Sequence, residues 1–217
     1  MYYSSYESNF RAPINESYFR FLHASPGTAP VDVYINGKLL VPNLRYQYFT
    51  NYFKRSGGYY EVTVYTAGKN TNPLISTRIN ISPNSIYTLA VIGTDDKISL
   101  MPIMEPLPTK AQSHAMIRLV HLSPNAPAVD LTSPDGKKLF KNVEYKEVTG
   151  YIPLVPSTYT FQLRAAGTDK VVLIVPNIKL APGKIYTVYA VGLLGGRPPL
   201  QVLIPLDGST YLEPHYK

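Results

Sequence analysis

Two stretches of this chain are near copies of one another: FLHASPGTAPVDVYINGKLL from Phe21 and LVHLSPNAPAVDLTSPDGKKL from Leu119. His23 and His121, Ser25 and Ser123, Pro26 and Pro124, and Asp32 and Asp130 are each 98 positions apart. One inserted residue then moves the offset to 99. There NGKLLVPNLRY from Asn36 matches DGKKLFKNVEY from Asp135, and ISPNSIYTLAVIG from Ile81 matches LAPGKIYTVYAVG from Leu180. Such a duplication dictates two like units of roughly 90 residues, each long enough to close around its own core. It is not the signature of a solenoid, which needs three or more short repeats. The expected organisation is an N-terminal arm over residues 1–16, a first unit over 17–103, a linker over 104–116, a second unit over 117–206 and a tail over 207–217.

Inside each unit the hydrophobic period is two. Tyr60, Val62 and Val64 alternate with Glu61, Thr63 and Tyr65, and Tyr159, Phe161 and Leu163 alternate with Thr160, Gln162 and Arg164, which is the pattern of a half-buried antiparallel strand. Further strands are expected to begin near Tyr18, Val31, Arg45, Leu74, Ser85 and Lys97, with SPG, NG, SGG, SPN and TDD as turns between them. With 20 Pro, 14 Gly and only 16% charged residues, the composition agrees with many short strands. The expected fold class is therefore all-β, two tandem immunoglobulin-like Greek-key sandwiches. Tyr87 and Tyr186 each close a segment of apolar residue, Pro, then Asn or Gly, then Tyr. That spacing predicts a tyrosine corner, in which the phenol hydrogen-bonds back to the backbone of the segment that crosses between sheets.

The paired HASPGTAPVDVYINGK and HLSPNAPAVDLTSPDGK motifs, each followed by a TYTFQLRAAG-type and a PGKIYTVYAVG-type strand, resemble two copies of the bacterial domain of unknown function 4397. The likeness covers nearly all of residues 17–206. It implies an immunoglobulin-like sandwich, an envelope or secreted setting and no established enzymatic activity. The second copy reads VDLTSPDG where the family pattern has VDVYxxG, so its hairpin is expected to hold one extra residue without a change of fold.

Chemistry finds little support in the residues. There is no cysteine, which removes disulfides and thiol chemistry. His23 with Asp32, and His121 with Asp130, read as structural pairs: each His anchors the Ser-Pro turn and each Asp caps backbone amides of the next strand. One His and one Asp per unit fall short of the three protein ligands that zinc takes, and no oxyanion loop accompanies Ser25 or Ser123. No catalytic residue, metal ligand, cofactor or cofactor-binding residue is assigned. The net charge of +7 is spread over the first unit (+4) and the second (+5) without a basic stripe, so nucleic acid is not the expected partner. No run approaches the roughly 18 apolar residues of a membrane span, and MYYSSYESNFRAPINES lacks the basic and apolar regions of a signal peptide.

Aromatic residues are the better lead. RYQYFTNYF holds Tyr46, Tyr48 and Tyr52, and the arm holds Tyr2, Tyr3, Tyr6 and Phe10 among serines. Tyrosines of this kind serve glycan stacking and protein interfaces, and an arm without a counterpart before the second unit suits strand addition to an open sheet edge. The expectation is a non-enzymatic structural protein of a bacterial cell or spore surface, reached by a route without a visible signal peptide, with a cytoplasmic place left open. It would act by self-association or adhesion with another copy or another envelope protein. The alternative is a module that binds a carbohydrate or envelope polymer through a tyrosine-rich face.

Overall fold

The computed structural model describes residues 15–94, 97–105 and 113–212. Tyr2, Tyr3, Tyr6 and Phe10 lie outside them. The first repeat contributes β1 (Glu16–His23), β2 (Val31–Ile35), β3 (Lys38–Leu44), β4 (Phe53–Ser56), β5 (Gly58–Thr66), β6 (Ile75–Ile81), β7 (Ile86–Ile92) and β8 (Ser99–Glu105). The second contributes β9 (Ala115–His121), β10 (Val129–Thr132), β11 (Lys138–Val143), β12 (Ile152–Leu154), β13 (Ser157–Ala165), β14 (Val171–Leu180), β15 (Ile185–Val191) and β16 (Gln201–Leu203), followed by a 3-10 turn at Gly208–Thr210. No helix among the described residues is long and apolar enough to cross a membrane.

Each repeat is a sandwich of two four-stranded sheets, ordered β4-β1-β7-β8 over β3-β2-β5-β6 and β12-β9-β15-β16 over β11-β10-β13-β14. The chain crosses between sheets in the Greek-key manner. β1 runs parallel to β7, with Phe21 opposite Leu89, and β9 runs parallel to β15, with Leu119 opposite Val188. No strand begins at Arg45. The aromatic stretch 45–52 instead turns at Tyr46 and Gln47, where Gln47 takes a left-handed φ of 72° and donates its amide to the His23 carbonyl at 2.7 Å, and then bridges back to Leu22 through Phe49. Lys146 repeats both features in the second unit. Tyr87 and Tyr186 stand on the seventh strand of each unit, β7 and β15.

The extra residue of the second hairpin is present. Asn36 and Gly37 make a two-residue turn with φ of 49° and 76°, the primed type that suits twisted strands. The wider turn 133–137 closes instead with Ser133 donating its amide to the Lys137 carbonyl at 3.0 Å.

The two sandwiches stack face to face through the sheets that hold β1 and β9, giving four sheet layers. Alternation along β1 shows how one strand serves two cores. Phe19 and Phe21 enter the core of the first unit with Val33, Val62 and Leu89, whereas Leu22 and Ala24 point the other way. These join Ala90, Ile92, Val120, Leu122, Tyr189 and Val191 in a third core between the units. A sheet covered on both faces reads as a nearly continuous apolar run, and every residue of β7 is buried. Outer strands keep the half-buried pattern, with Val62 and Val64 inside and Glu61 outside on β5.

Candidate functional site

Amid the apolar core between the units sit four charged side chains: Arg20, Arg118, Glu105 and Asp207, none more than 4% exposed. They are placed by an approximate two-fold. Arg20 on β1 donates through Nε to Thr88 Oγ1 at 2.9 Å, and Arg118 on β9 does the same to Thr187. Each threonine passes its own proton to the acid of its unit, Thr88 to Glu105 at 2.6 Å and Thr187 to Asp207 at 2.8 Å. Tyr52 and Tyr151, at equivalent positions, donate to the same two carboxylates. Contacts then cross the interface reciprocally. Arg20 Nη1 donates to the Leu206 carbonyl at 3.2 Å, one residue before Asp207, and Arg118 Nη1 donates to the Met104 carbonyl at 2.7 Å, one residue before Glu105.

The symmetry is approximate. Glu105 is one methylene longer than Asp207, and its Oε2 reaches the Gly208 amide at 2.6 Å. Arg20 Nη2 lies 3.3 Å from Glu105 and 3.9 Å from Asp207, while Arg118 Nη2 stands 3.8 Å from Asp207. Both guanidinium groups lie over aromatic rings, Arg20 between Phe49 and Tyr52 at 4.6 and 4.7 Å and Arg118 over Tyr151 at 4.6 Å. Burial, and then the neighbouring Glu105 charge, push the Asp207 carboxyl up to about 6. The same burial raises the phenols of Tyr52 and Tyr151 far above the tyrosine range and that of Tyr189 to about 12. Two arginines against two acids leave the cluster formally neutral, a condition that a buried ionic group must meet.

The sequence reading missed this cluster. The signal was present: FRFLH and IRLVH each set an arginine inside an apolar strand at the 98-residue offset. Glu105 and Asp207 carry no such mark, being separated by a different interval and assigned to the linker and the tail. The boundary at residue 206 falls short, since Asp207, Gly208 and Ser209 are buried and the ring centre of Tyr211 lies 6.1 Å from that of Tyr52.

His23 and Asp32 do not bond to one another. The buried His23 ring accepts the Ser25 amide at Nδ1 (3.3 Å), which fixes the Nε2–H tautomer, and Nε2 donates to the Ala29 carbonyl at 3.2 Å. His121 does the same with Ser123 and Pro127. Burial lowers the pKa of both rings. Asp32 accepts the Asn43 amide at 2.7 Å and the Gly68 amide at 2.8 Å. Asn43 lies in a register shift of the β2–β3 pair and has φ 51°, so Asp32 holds a β-bulge in place. Asp130 holds the matching bulge at Asn142 (2.7 Å) and meets Lys138 Nζ at 2.6 Å. Among the described residues no three carboxylate or imidazole groups converge as a metal site.

At the corners, the hydroxyl of Tyr186 accepts the Ala181 amide at 3.1 Å, and that of Tyr87 donates to Ser82 Oγ at 3.3 Å. Both phenols reach back five residues, one to backbone and one to a side chain. The three tyrosines of RYQYFTNYF separate. Tyr48 is 61% exposed. Tyr46 packs edge-on against the His23 ring at 5.9 Å. Tyr52 is half-buried, its hydroxyl held by Glu105 and its ring against Arg20. They form no shared aromatic face.

Fold and interface together define a tandem β-sandwich protein whose repeats are fused into one body through a buried ionic core. The chain belongs to the family described as domain of unknown function (DUF4397), which it matches over residues 17–132 and 133–210. No curated protein matches it. Solved structures with a weak likeness include a leucine-rich repeat protein from Bacteroides thetaiotaomicron VPI-5482, 14% identical over 83% of this chain and 26% of that one, with a TM-score of 0.23. The Bacillus anthracis TIE protein is 11% identical over 84% of this chain and 34% of its own, with a TM-score of 0.24. CBMbc, of family CBM26, from Eubacterium rectale Amy13K was solved with maltoheptaose; it is 10% identical over 88% and 96% of the two chains, with a TM-score of 0.25. This chain thus spans 26% and 34% of the first two. Likenesses this slight carry no argument about activity.

Proposed function

We propose that the protein is a non-enzymatic structural component of a bacterial cell or spore surface, working by self-association or adhesion. One observation carries this reading: the charged and imidazole side chains at matching positions of the two repeats are engaged by the fold itself. The arginines and acids of the inter-unit cluster neutralise one another, His23 and His121 hold turns, and Asp32 and Asp130 hold bulges. A body so committed to its own rigidity offers outer sheets and edges to other molecules, which is the use a building block makes of a β-sandwich. The surface setting rests on the resemblance to a family of envelope and secreted domains, and the connector is the aromatic arm. The glycan-stacking alternative retains only Tyr48 of its three tyrosines as an exposed ring. Light scattering and negative-stain microscopy test the reading on the full chain and on a chain lacking residues 1–16. Ordered assemblies from the first and monomers from the second support it. Monomers from both at high concentration overturn self-association.

A further inference from the structure

We infer that residues 1–14 of a second copy add a strand to the open edge of β14, along Val171–Val175. This inference rests on the self-association proposed above and names its acceptor.

Among the described residues eight strands form the edges of the four sheets, and an exposed edge is a template for pairing unless something blunts it. All carry a blunting device or are short, but in β14 Pro176 and Lys179 fall in the second half of the strand. β3, β8 and β12 contain Pro42, Pro102 and Pro153, which remove a ladder donor. β4, β6 and β11 carry Lys54 and Arg55, Arg78, and Lys138 and Lys141. β16 is only three residues long. β14 differs: its first five residues read VVLIV, without proline, glycine or charge. Ile174 on this run is 56% exposed and Val171 37%. Pro176 and the left-handed Asn177 (φ 61°) end the run and leave it a defined length. The equivalent edge of the first unit, ISTRINI, is polar at every second position, and Arg78 lies over Tyr59 there at 4.4 Å. Among the described residues only the second unit therefore presents an acceptor of this kind, which makes the contact heterologous.

The arm supplies a matching sequence. In an extended chain Tyr2, Ser4, Tyr6, Ser8 and Phe10 fall on one side and Tyr3, Ser5, Glu7, Asn9 and Arg11 on the other. No glycine interrupts them, and the first proline is Pro13, beyond the alternating stretch. Fourteen residues reach roughly 50 Å at most, enough for a five-residue pairing with a tether. Asn15 joins the inner sheet of the first unit, where it accepts the Gly57 amide, whereas β14 edges the outer sheet of the second. Within one chain the arm would have to travel around two sheet spacings of about 10 Å each before pairing began. A second copy brings it to β14 without that detour, and a head-to-tail contact of this kind repeats without closing.

The absence of native cysteine makes disulfide trapping a clean test. Full-length chain carrying Tyr6→Cys is mixed with chain lacking residues 1–14 and carrying Ile174→Cys, then oxidised and read on a non-reducing gel. The inference expects a linked pair, and loss of assembly in otherwise native Ile174→Lys and Val172→Pro chains whose thermal midpoints are checked. If deleting the arm abolishes assembly while no link to position 174 forms, β14 is the wrong acceptor and the self-association reading survives. If deleting the arm leaves assembly unchanged, the reading beneath the inference fails. If a third, full-length chain carrying both substitutions forms the link internally while the mixture forms none, the contact between copies is overturned.

Discussion

Arg20 and Arg118 are counterparts across the stack of two sandwiches: each bonds the threonine of its own unit and the carbonyl just before the acid of the other unit. The interface is therefore self-complementary in the sense of a two-fold homodimer, although one chain makes both halves.

Removing one member of the cluster leaves its partner charged and buried. Arg20→Met is expected to destabilise the protein by about 3–5 kcal/mol, whereas Arg20→Met combined with Glu105→Gln costs less than the single change. Urea denaturation of the three chains measures this; a double variant no more stable than Arg20→Met refutes it.

Asp207 gives the stability a pH dependence of defined sign. Its carboxyl is raised from 3.8 to about 6 in the folded chain, so the folded state holds the proton more tightly than the unfolded state does. Its contribution is fully present below pH ~4 and is lost as pH rises through about 6. Asp207→Asn keeps the group neutral at every pH. Denaturation midpoints between pH 4 and 8 should therefore lose that downward trend in the variant, and an unchanged trend would place the titrating group elsewhere.

The histidines act in the opposite sense. Burial lowers the pKa of His23 and His121 in the folded chain, so their contribution is present above the unfolded value near 6.5 and is lost as pH falls below it. NMR titration should show both rings neutral and in the Nε2–H tautomer well below the ordinary histidine range. Ring signals that titrate normally would contradict the buried geometry.

At the bulges, Asp32→Ala leaves the amides of Asn43 and Gly68 without their acceptor and should cost about 1–3 kcal/mol. Asn43→Gly should be tolerated, because glycine accepts the left-handed φ of 51°, while Asn43→Val should not. Thermal unfolding of the three variants ranks these costs, and a stable valine variant would show that the bulge is not required.

Much of the fold was legible because the repeat gave each strand twice and the period of two marked Val62, Val64, Phe161 and Leu163 as inward. The rest was hidden by a property of the inner sheets. On β1 and β7 both faces are buried, so alternation vanishes and the sequence cannot say which face meets which core. Arg20 and Arg118 looked like ordinary strand residues for the same reason: their partners, Glu105 and Asp207, lie beyond the last strand pattern of each unit. Tyr52 shows the converse error, an aromatic near a turn that suggested a surface and belongs to the buried cluster.

The ionic interface also bears on dilution. A two-fold contact between separate molecules falls apart as their concentration drops, but here both halves travel on one chain, and the effective concentration of each for the other is set by the chain between them. The paired state is thus indifferent to how few molecules surround it, so this body keeps its shape at abundances where a true dimer of single units would separate.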